Sequence, residues 1–188
     1  IVLIAPLSNM QQVGLFGVSS QLSNLLTFPQ FILNSVMAPR YSESYTSKNF
    51  NKLRRDFLLA ISFALLTTIP LAAFLLTFGS EILAILFGAA FEQAQPTLSV
   101  LAIAQVFAAV AQAPISLLLM TGRETLLLSI NVAALLVNIV INILLLPSFG
   151  AVGAGYARLV ALAIVLVCTL IGVIRLMRKG NRLEDTAG

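Results

Sequence analysis

Long uncharged stretches alternate with short polar ones along most of the chain. The clearest pair lies within residues 118–166, where the uncharged run Thr125–Leu146 is followed, after Pro147 and Gly150, by a second apolar run. Each run has about the length needed to cross ~30 Å of hydrocarbon as a helix that rises ~1.5 Å per residue. Because the link between them is long enough only for a tight turn, the pattern predicts a membrane-embedded helical hairpin.

The same pattern predicts five complete membrane spans and one truncated span. The complete spans are expected at about residues 13–38, 57–79, 97–120, 125–146 and 151–176. Ile1–Leu7 is interpreted as the end of a truncated span, and residues 177–188 as a polar tail. Pro39 is expected to end the first complete span. Ile82–Phe87 is apolar but too short to cross, so it is placed at the membrane interface.

The basic residues predict the orientation of these spans. Ten of the eleven Lys and Arg residues lie in the 40–56 link, the Arg123 link and the C-terminal tail, which alternation of the spans places on one side. The opposite links have no Lys or Arg and contain only Glu81 and Glu92 as charged residues. Since Lys and Arg are retained on the cytoplasmic side, we predict a cytoplasmic C-terminus.

Composition supports a multi-pass, all-α membrane protein and argues against other classes. Only 10% of residues are charged and the mean hydropathy is +1.01, whereas a soluble domain is about 25% charged. The net charge is +4, but the basic residues lie mainly in the short links between spans and in the tail, as membrane topology requires. We therefore expect no nucleic-acid partner. The chain has no histidine and Cys168 is its single cysteine. We therefore predict no metal site, no cofactor and no catalytic residues in this segment.

Arg158 is the eleventh basic residue and is predicted to lie about two turns into the last span. An arginine at such depth marks a functional site by default. Snorkelling is the equal alternative, because only roughly 10 Å of helix separates Arg158 from the outer interface. If Arg158 faces the protein interior, its guanidinium suits an anion such as a phosphate or pyrophosphate.

Amide side chains recur inside three of the predicted spans. They are Gln21 and Asn24 in the first span, Gln105 and Gln112 in the third, and Asn131, Asn138 and Asn142 in the fourth. Within each span the spacing places the amides on one helical face. Each one alone is explained by interhelical hydrogen bonding. Together they predict a polar-lined cavity, because an unpaired amide in hydrocarbon is costly.

The acidic residues are predicted to lie in links, at span ends or in the tail. They are Glu43, Asp56, Glu81, Glu92, Glu124, Glu184 and Asp185. No carboxylate is therefore expected in mid-membrane, which argues against a carboxylate relay for protons or sodium in this part of the chain.

Several short motifs, in order along nearly the whole chain, resemble a known family. They are Val13-Gly14-Leu15-Phe16 and Pro39, Leu86-Phe87-Gly88 with Phe91 and Ala94, Thr121-Gly122-Arg123, the three asparagines of the fourth span, and Leu146-Pro147 with Gly150, Gly153 and Ala154. This order and spacing resemble the C-terminal half of the multidrug/oligosaccharidyl-lipid/polysaccharide (MATE/MOP) exporter superfamily. The likeness is to its polysaccharide-transport branch, the Wzx-type O-antigen flippases. Two positions depart from that branch: Arg158 replaces a small or hydroxyl residue, and Phe149 replaces a frequent tyrosine.

The resemblance implies a twelve-helix, V-shaped transporter of two six-helix lobes, with residues 1–188 as its C-terminal lobe. Such proteins flip undecaprenyl-pyrophosphate-linked oligosaccharides across the bacterial inner membrane by alternating access, for lipopolysaccharide and other polysaccharide biosynthesis. The implied partners are membrane lipids, the lipid-linked substrate, the N-terminal lobe, and polysaccharide polymerases or glycosyltransferases. Because the first residue is Ile1 and not Met, we expect the chain to be a segment of a longer protein.

Three other functions stay open. A multidrug or cation antiporter of the same superfamily would use membrane carboxylates, which this half is not expected to supply. A membrane-embedded glycan-processing enzyme would need catalytic groups in a long external loop, and the predicted external loops are short and nearly uncharged. A purely structural subunit would have no use for Arg158 or the amides. We therefore expect a transporter and not an enzyme.

Overall fold

In a computed structural model, every regular element of the described part, residues 10–185, is a helix, and side chains are described for residues 12–178. The helices are α1 (Met10–Asn24), α2 (Phe28–Thr46), α3 (Phe50–Phe87), α4 (Gln95–Met120) and α5 (Glu124–Asp185). Two 3-10 turns, Leu25–Thr27 and Ala89–Ala94, join α1 to α2 and α3 to α4. The all-α prediction is confirmed for these residues. The predicted truncated span, Ile1–Leu7, lies outside them.

Three helices of the described part are long and apolar enough to cross a membrane: α3, the Ala89–Met120 stretch that contains α4, and Glu124–Arg178 of α5. The predicted number of five complete spans and a truncated one is not matched. The number differs in two places, because two shorter helices replace the predicted 13–38 span and because α5 contains both of the last two predicted spans. Many apolar side chains of these helices are exposed, with Leu66 75% and Ile85 82% accessible. Such surfaces are stable in lipid and not in water.

The predicted first span is broken next to Asn24. α1 ends there, a 3-10 turn follows over Leu25–Thr27, and Pro29 lies in the first turn of α2. Proline has no backbone N–H, so it is well tolerated at the start of a helix but not in the middle of a continuous one. The proline therefore favours a new helix start at this point.

Pro39 does not end a helix, contrary to the prediction, because α2 continues through it to Thr46. A proline inside a helix costs about 3 kcal/mol through a lost hydrogen bond and a steric clash. Packing further along the helix offsets this cost: Tyr41 is fully buried in the same apolar cluster as Leu53 of α3.

α3 is longer at both ends than the predicted 57–79 span. It begins at Phe50, because the Asn49 side chain accepts a hydrogen bond from the Lys52 backbone N–H at 2.9 Å and so caps the helix. Ile82–Phe87, predicted to lie at the interface, forms its last turns, and Leu83 within them is fully buried. These residues therefore extend α3 and do not form a separate piece, and their position at the interface stays a prediction.

α5 turns back on itself at Gly150, whose φ of 52° and ψ of −133° are not helical. A positive φ is readily adopted by glycine. A Cβ placed on Gly153 would lie 2.7 Å from the Leu145 carbonyl oxygen, and one on Gly172 would lie 3.3 Å from Leu126 Cδ2. In each pair the two residues lie on opposite sides of residue 149 and equally far from it along the chain. The first arm of α5, before Gly150, and the second arm, after it, therefore run antiparallel. Their assignment as separate spans, residues 125–146 and 151–176, stays a prediction.

Two main apolar clusters hold the helices together at opposite ends. The first joins α1, α3, α4 and the Gly150 turn of α5, and includes Leu98 and Leu101 of α4. The second joins α2, α3, α4 and both arms of α5, and includes Ala113 and Leu117 of α4. The intervening stretch of α4 carries the predicted amides Gln105 and Gln112, so polar side chains lie between two apolar ends.

Candidate functional site

A cavity of about 240 Å³ lies between the two apolar clusters, bounded by α1, α2, α4 and the second arm of α5. Its lining residues are Asn24, Thr27, Gln30, Phe31, Asn34, Gln105, Ala108, Gln112 and Arg158. Seven of these nine residues are polar, and Arg158 is the charged one among them. The cavity wall is therefore positively charged and otherwise made of neutral hydrogen-bonding groups.

Arg158 is directed across the cavity wall toward α1. Its Nη1 donates to Ser20 Oγ at 3.0 Å, and its Nη2 donates to Asn24 Oδ1 at 3.0 Å. Arg158 is half-buried, and these two bonds hold its guanidinium against α1. A planar guanidinium carries further N–H donors beyond these two, and these can serve a ligand in the cavity.

Asn24 links Arg158 to α4. Its Oδ1 also accepts a short hydrogen bond from Gln105 Nε2, and Gln105 is 2% exposed. The break after α1 supports this position, because the Thr27 hydroxyl donates to the Asn24 carbonyl oxygen at 2.7 Å. Three elements that are distant in sequence therefore meet at one amide oxygen.

The structure brings together four of the eight predicted site residues: Asn24, Gln105, Gln112 and Arg158. The other four, Gln21, Asn131, Asn138 and Asn142, are not among the cavity-lining residues. Gln21 is exposed on α1.

The asparagines of α5 bond within their own helix. The exposed Asn131 donates to the Leu127 carbonyl oxygen at 2.8 Å, and Asn142, which is 7% exposed, donates to the Asn138 carbonyl oxygen at 2.9 Å. An amide that bonds back to its own helix needs no partner on another helix. Their spacing on one helical face was therefore not enough to predict which side chains line the cavity.

Three polar lining residues were not singled out from the sequence: Thr27, Gln30 and Asn34. Gln30 is 3% exposed, and its Nε2 donates to the hydroxyls of Thr67 and Thr68 on α3 at 3.2 and 3.4 Å. The sequence did contain a signal, since positions 27, 30 and 34 repeat at the spacing of one helical face. In the described residues no three His, Cys, Asp or Glu side chains come together as a metal site would require.

The chain matches a known protein family. The profile of the MatE family matches residues 1–144, about three quarters of the chain. The match includes the cavity residues of α1, α2 and α4, whereas Arg158 lies beyond it. Comparisons with curated proteins and with solved structures give no significant match.

Proposed function

Since the chain belongs to the MatE family, whose members are membrane transporters and not enzymes, we propose that it is part of an exporter of lipid-linked oligosaccharides. The proposed substrate is of the undecaprenyl-pyrophosphate type, flipped across the bacterial inner membrane by alternating access for polysaccharide biosynthesis. In this proposal the chain is the C-terminal lobe of a two-lobed transporter with five spans in this half and a cytoplasmic C-terminus. The observation that carries the proposal is the position of Arg158 on the wall of a polar cavity whose other lining residues are uncharged.

A pyrophosphate group is the part of such a substrate that is hardest to move. An unpaired anion in hydrocarbon costs many kcal/mol. The Arg158 guanidinium offers a positive charge and paired N–H donors that fit phosphate oxygens. The amides that share the cavity, among them Gln105 and Gln112, carry both donors and acceptors, as sugar hydroxyls require.

The charge of the cavity distinguishes this proposal from a cation antiporter. A cationic drug would meet the Arg158 guanidinium, and none of the described residues that line the cavity is a carboxylate. Like charges in a low-dielectric site repel strongly. The described lining therefore favours an anionic or neutral cargo.

The test is substitution of Arg158 in the complete transporter. Arg158→Ala is expected to abolish glycan export while the protein inserts and accumulates normally, because the anion loses its partner. Arg158→Lys keeps the charge but loses the planar fork, so partial export is expected. Export is measured as surface glycan in cells that depend on this protein, with accumulation checked by immunoblot of membranes.

The matched control is Arg175→Ala, which removes an exposed arginine from the same arm of α5. This variant is expected to export at the wild-type rate. If Arg158→Ala also exports at the wild-type rate, Arg158 has no role with an anion and the proposal loses its main support.

A further inference from the structure

An apolar groove lies next to the polar cavity that Arg158 lines, across the Leu25–Thr27 turn. It has a volume of about 250 Å³ and is formed by the end of α1, the turn and α3. All seven of its lining residues are apolar. The groove is therefore about as large as the polar cavity but differs from it in chemistry.

The groove has a buried floor and exposed edges. Its floor consists of three buried leucines of the first apolar cluster, Leu22, Leu26 and Leu75. Its edges consist of three exposed apolar side chains, Leu25, Leu71 and Phe74. The protein core thus fixes the shape of the floor, while the edges are open to a ligand that arrives from the surrounding hydrocarbon.

The groove is long enough for a stretch of hydrocarbon chain. Its lining residues on α3 extend from Leu71 to Ile82, which is ~16 Å of helix at ~1.5 Å per residue. Within a bilayer, an apolar chain gains packing contacts in such a groove and not a further hydrophobic effect.

The same turn forms part of both sites. Asn24 and Thr27 line the polar cavity, whereas Leu25 and Leu26 between them line the groove. Asn24 and Leu25 are both exposed, so the surface between the two sites is accessible in the described part of the chain. Because Asn24 Oδ1 accepts the hydrogen bond from Arg158 at 3.0 Å, the guanidinium and the groove meet at neighbouring residues.

We propose that this groove binds the polyprenyl chain of the lipid-linked substrate whose pyrophosphate lies at Arg158. The inference rests on the proposed function, which supplies the chemistry of the ligand: an anionic head joined directly to a long hydrocarbon chain. Such a molecule needs a cationic polar site and an apolar site next to each other. Asn24 and Leu25 provide this junction.

Depth distinguishes this occupant from an ordinary membrane phospholipid. Asn24 lies near the middle of the predicted 13–38 span, roughly 16 Å of helix from its nearer end. A phospholipid keeps its charged phosphate in the headgroup region, outside the hydrocarbon core. Its phosphate is therefore too far from Arg158 when its chain lies beside Leu25. A junction of head and chain at this depth fits a lipid whose head is crossing the membrane.

The first experiment is photocrosslinking in the complete transporter, reconstituted in phospholipid nanodiscs with radiolabelled undecaprenyl pyrophosphate. The photoreactive amino acid p-benzoylphenylalanine replaces Leu71 at the groove edge. In the matched control it replaces Leu66, which is exposed on the same helix but does not line the groove. Position 71 is expected to label the probe and position 66 to give background only. Excess unlabelled undecaprenyl pyrophosphate should remove the labelling, whereas excess phosphatidylglycerol should not.

The second experiment separates the groove from the role of Arg158. Leu71→Asn places a polar group in the groove and should weaken binding of undecaprenyl pyrophosphate about tenfold. It should leave the affinity for isopentenyl pyrophosphate unchanged, because this probe has the same head but one five-carbon unit. Arg158→Ala should weaken binding of both probes, and Leu66→Asn of neither. Isothermal titration calorimetry of the purified complete protein in detergent measures these affinities.

Three results would overturn the assignment of the groove. They are equal labelling from positions 71 and 66, labelling that phosphatidylglycerol removes, and wild-type affinity of Leu71→Asn for the long-chain probe. The second of these would assign the groove to bulk phospholipid. If Arg158→Ala leaves both affinities unchanged while position 71 still labels the probe, the proposed role of Arg158 fails and the groove assignment stands.

Discussion

Asn24 is a neutral hydrogen-bond partner of Arg158, the charged residue of the cavity wall. Its amide oxygen accepts hydrogen bonds from both Arg158 and Gln105, so it orients the guanidinium without neutralising it. A carboxylate in the same position would accept the same bonds and also cancel the positive charge. Replacing the amide of Asn24 by a carboxylate should therefore impair transport without lowering the stability of the fold.

We predict that Asn24→Asp keeps or raises the unfolding midpoint but abolishes glycan export, because the new carboxylate competes with the substrate anion for Arg158. Asn24→Ala should instead lower the free energy of unfolding by about 1–3 kcal/mol, because the buried donor of Gln105 loses its acceptor. Denaturation of the purified variants and surface glycan in cells measure the two effects. Export by Asn24→Asp at the wild-type rate would contradict an anion-binding role of Arg158.

At the residue scale, the sequence predicted those cavity residues whose depth or helical pairing was visible in one span. Arg158 was visible because a charge well inside an apolar run is unusual, and Gln105 and Gln112 because they repeat on one face of an otherwise apolar helix. The burial of Asp56, which is 2% exposed on α3, was not visible, because burial depends on how helices pack against each other. For the same reason the sequence could not show that Asn131 bonds to its own backbone.

At the element scale, the turn at Gly150 requires a glycine. Its φ is positive, and a Cβ there would lie 2.7 Å from Gln12 Oε1, the atom that accepts a hydrogen bond from the Ala151 N–H at 2.9 Å. A side chain at this position would therefore strain the backbone. It would also displace the Gln12 side chain, so that the Ala151 N–H would lose its hydrogen-bond acceptor.

We predict that Gly150→Ala lowers the free energy of unfolding by about 1–3 kcal/mol. The matched control is Gly14→Ala on α1, where a Cβ would meet no atom within 4 Å. That control should be neutral or stabilise the protein by up to ~1 kcal/mol, as a glycine-to-alanine change in a helix does. Equal stability of the two variants, measured by thermal unfolding in detergent, would contradict the conformation described for Gly150.

Hydropathy predicted the apolar runs but not every helix boundary. The hairpin turn could be predicted, since a proline and a glycine interrupt an uncharged run. The break at Leu25–Thr27 and the passage of α2 through Pro39 could not. Both depend on how the cost of a proline compares with the packing of its neighbours, which is a property of the assembled bundle.

At the scale of the whole molecule, charge distribution gives a testable orientation. We predict that a periplasm-dependent alkaline phosphatase fused to the C-terminus is inactive, because the basic tail stays in the cytoplasm. The same enzyme inserted in the link between α3 and α4, which holds Glu92 and no basic residue, should be active. Enzyme activity normalised to fusion protein measures both, and an active C-terminal fusion would overturn the predicted orientation.

Because a break separates α1 from α2, a small rotation of α2 at this break would move the other end of the helix by a larger distance. From its first residue, Phe28, to Tyr41 the helix is roughly 20 Å long, at ~1.5 Å per residue. A rotation of about 10° at the Leu25–Thr27 fulcrum would therefore swing Tyr41 through about 3 Å, while Asn24 at the pivot would scarcely move. Any tilt that widens the arginine cavity would thus be magnified at the other end of α2, where Tyr41 is buried in one cluster with Leu53 of α3.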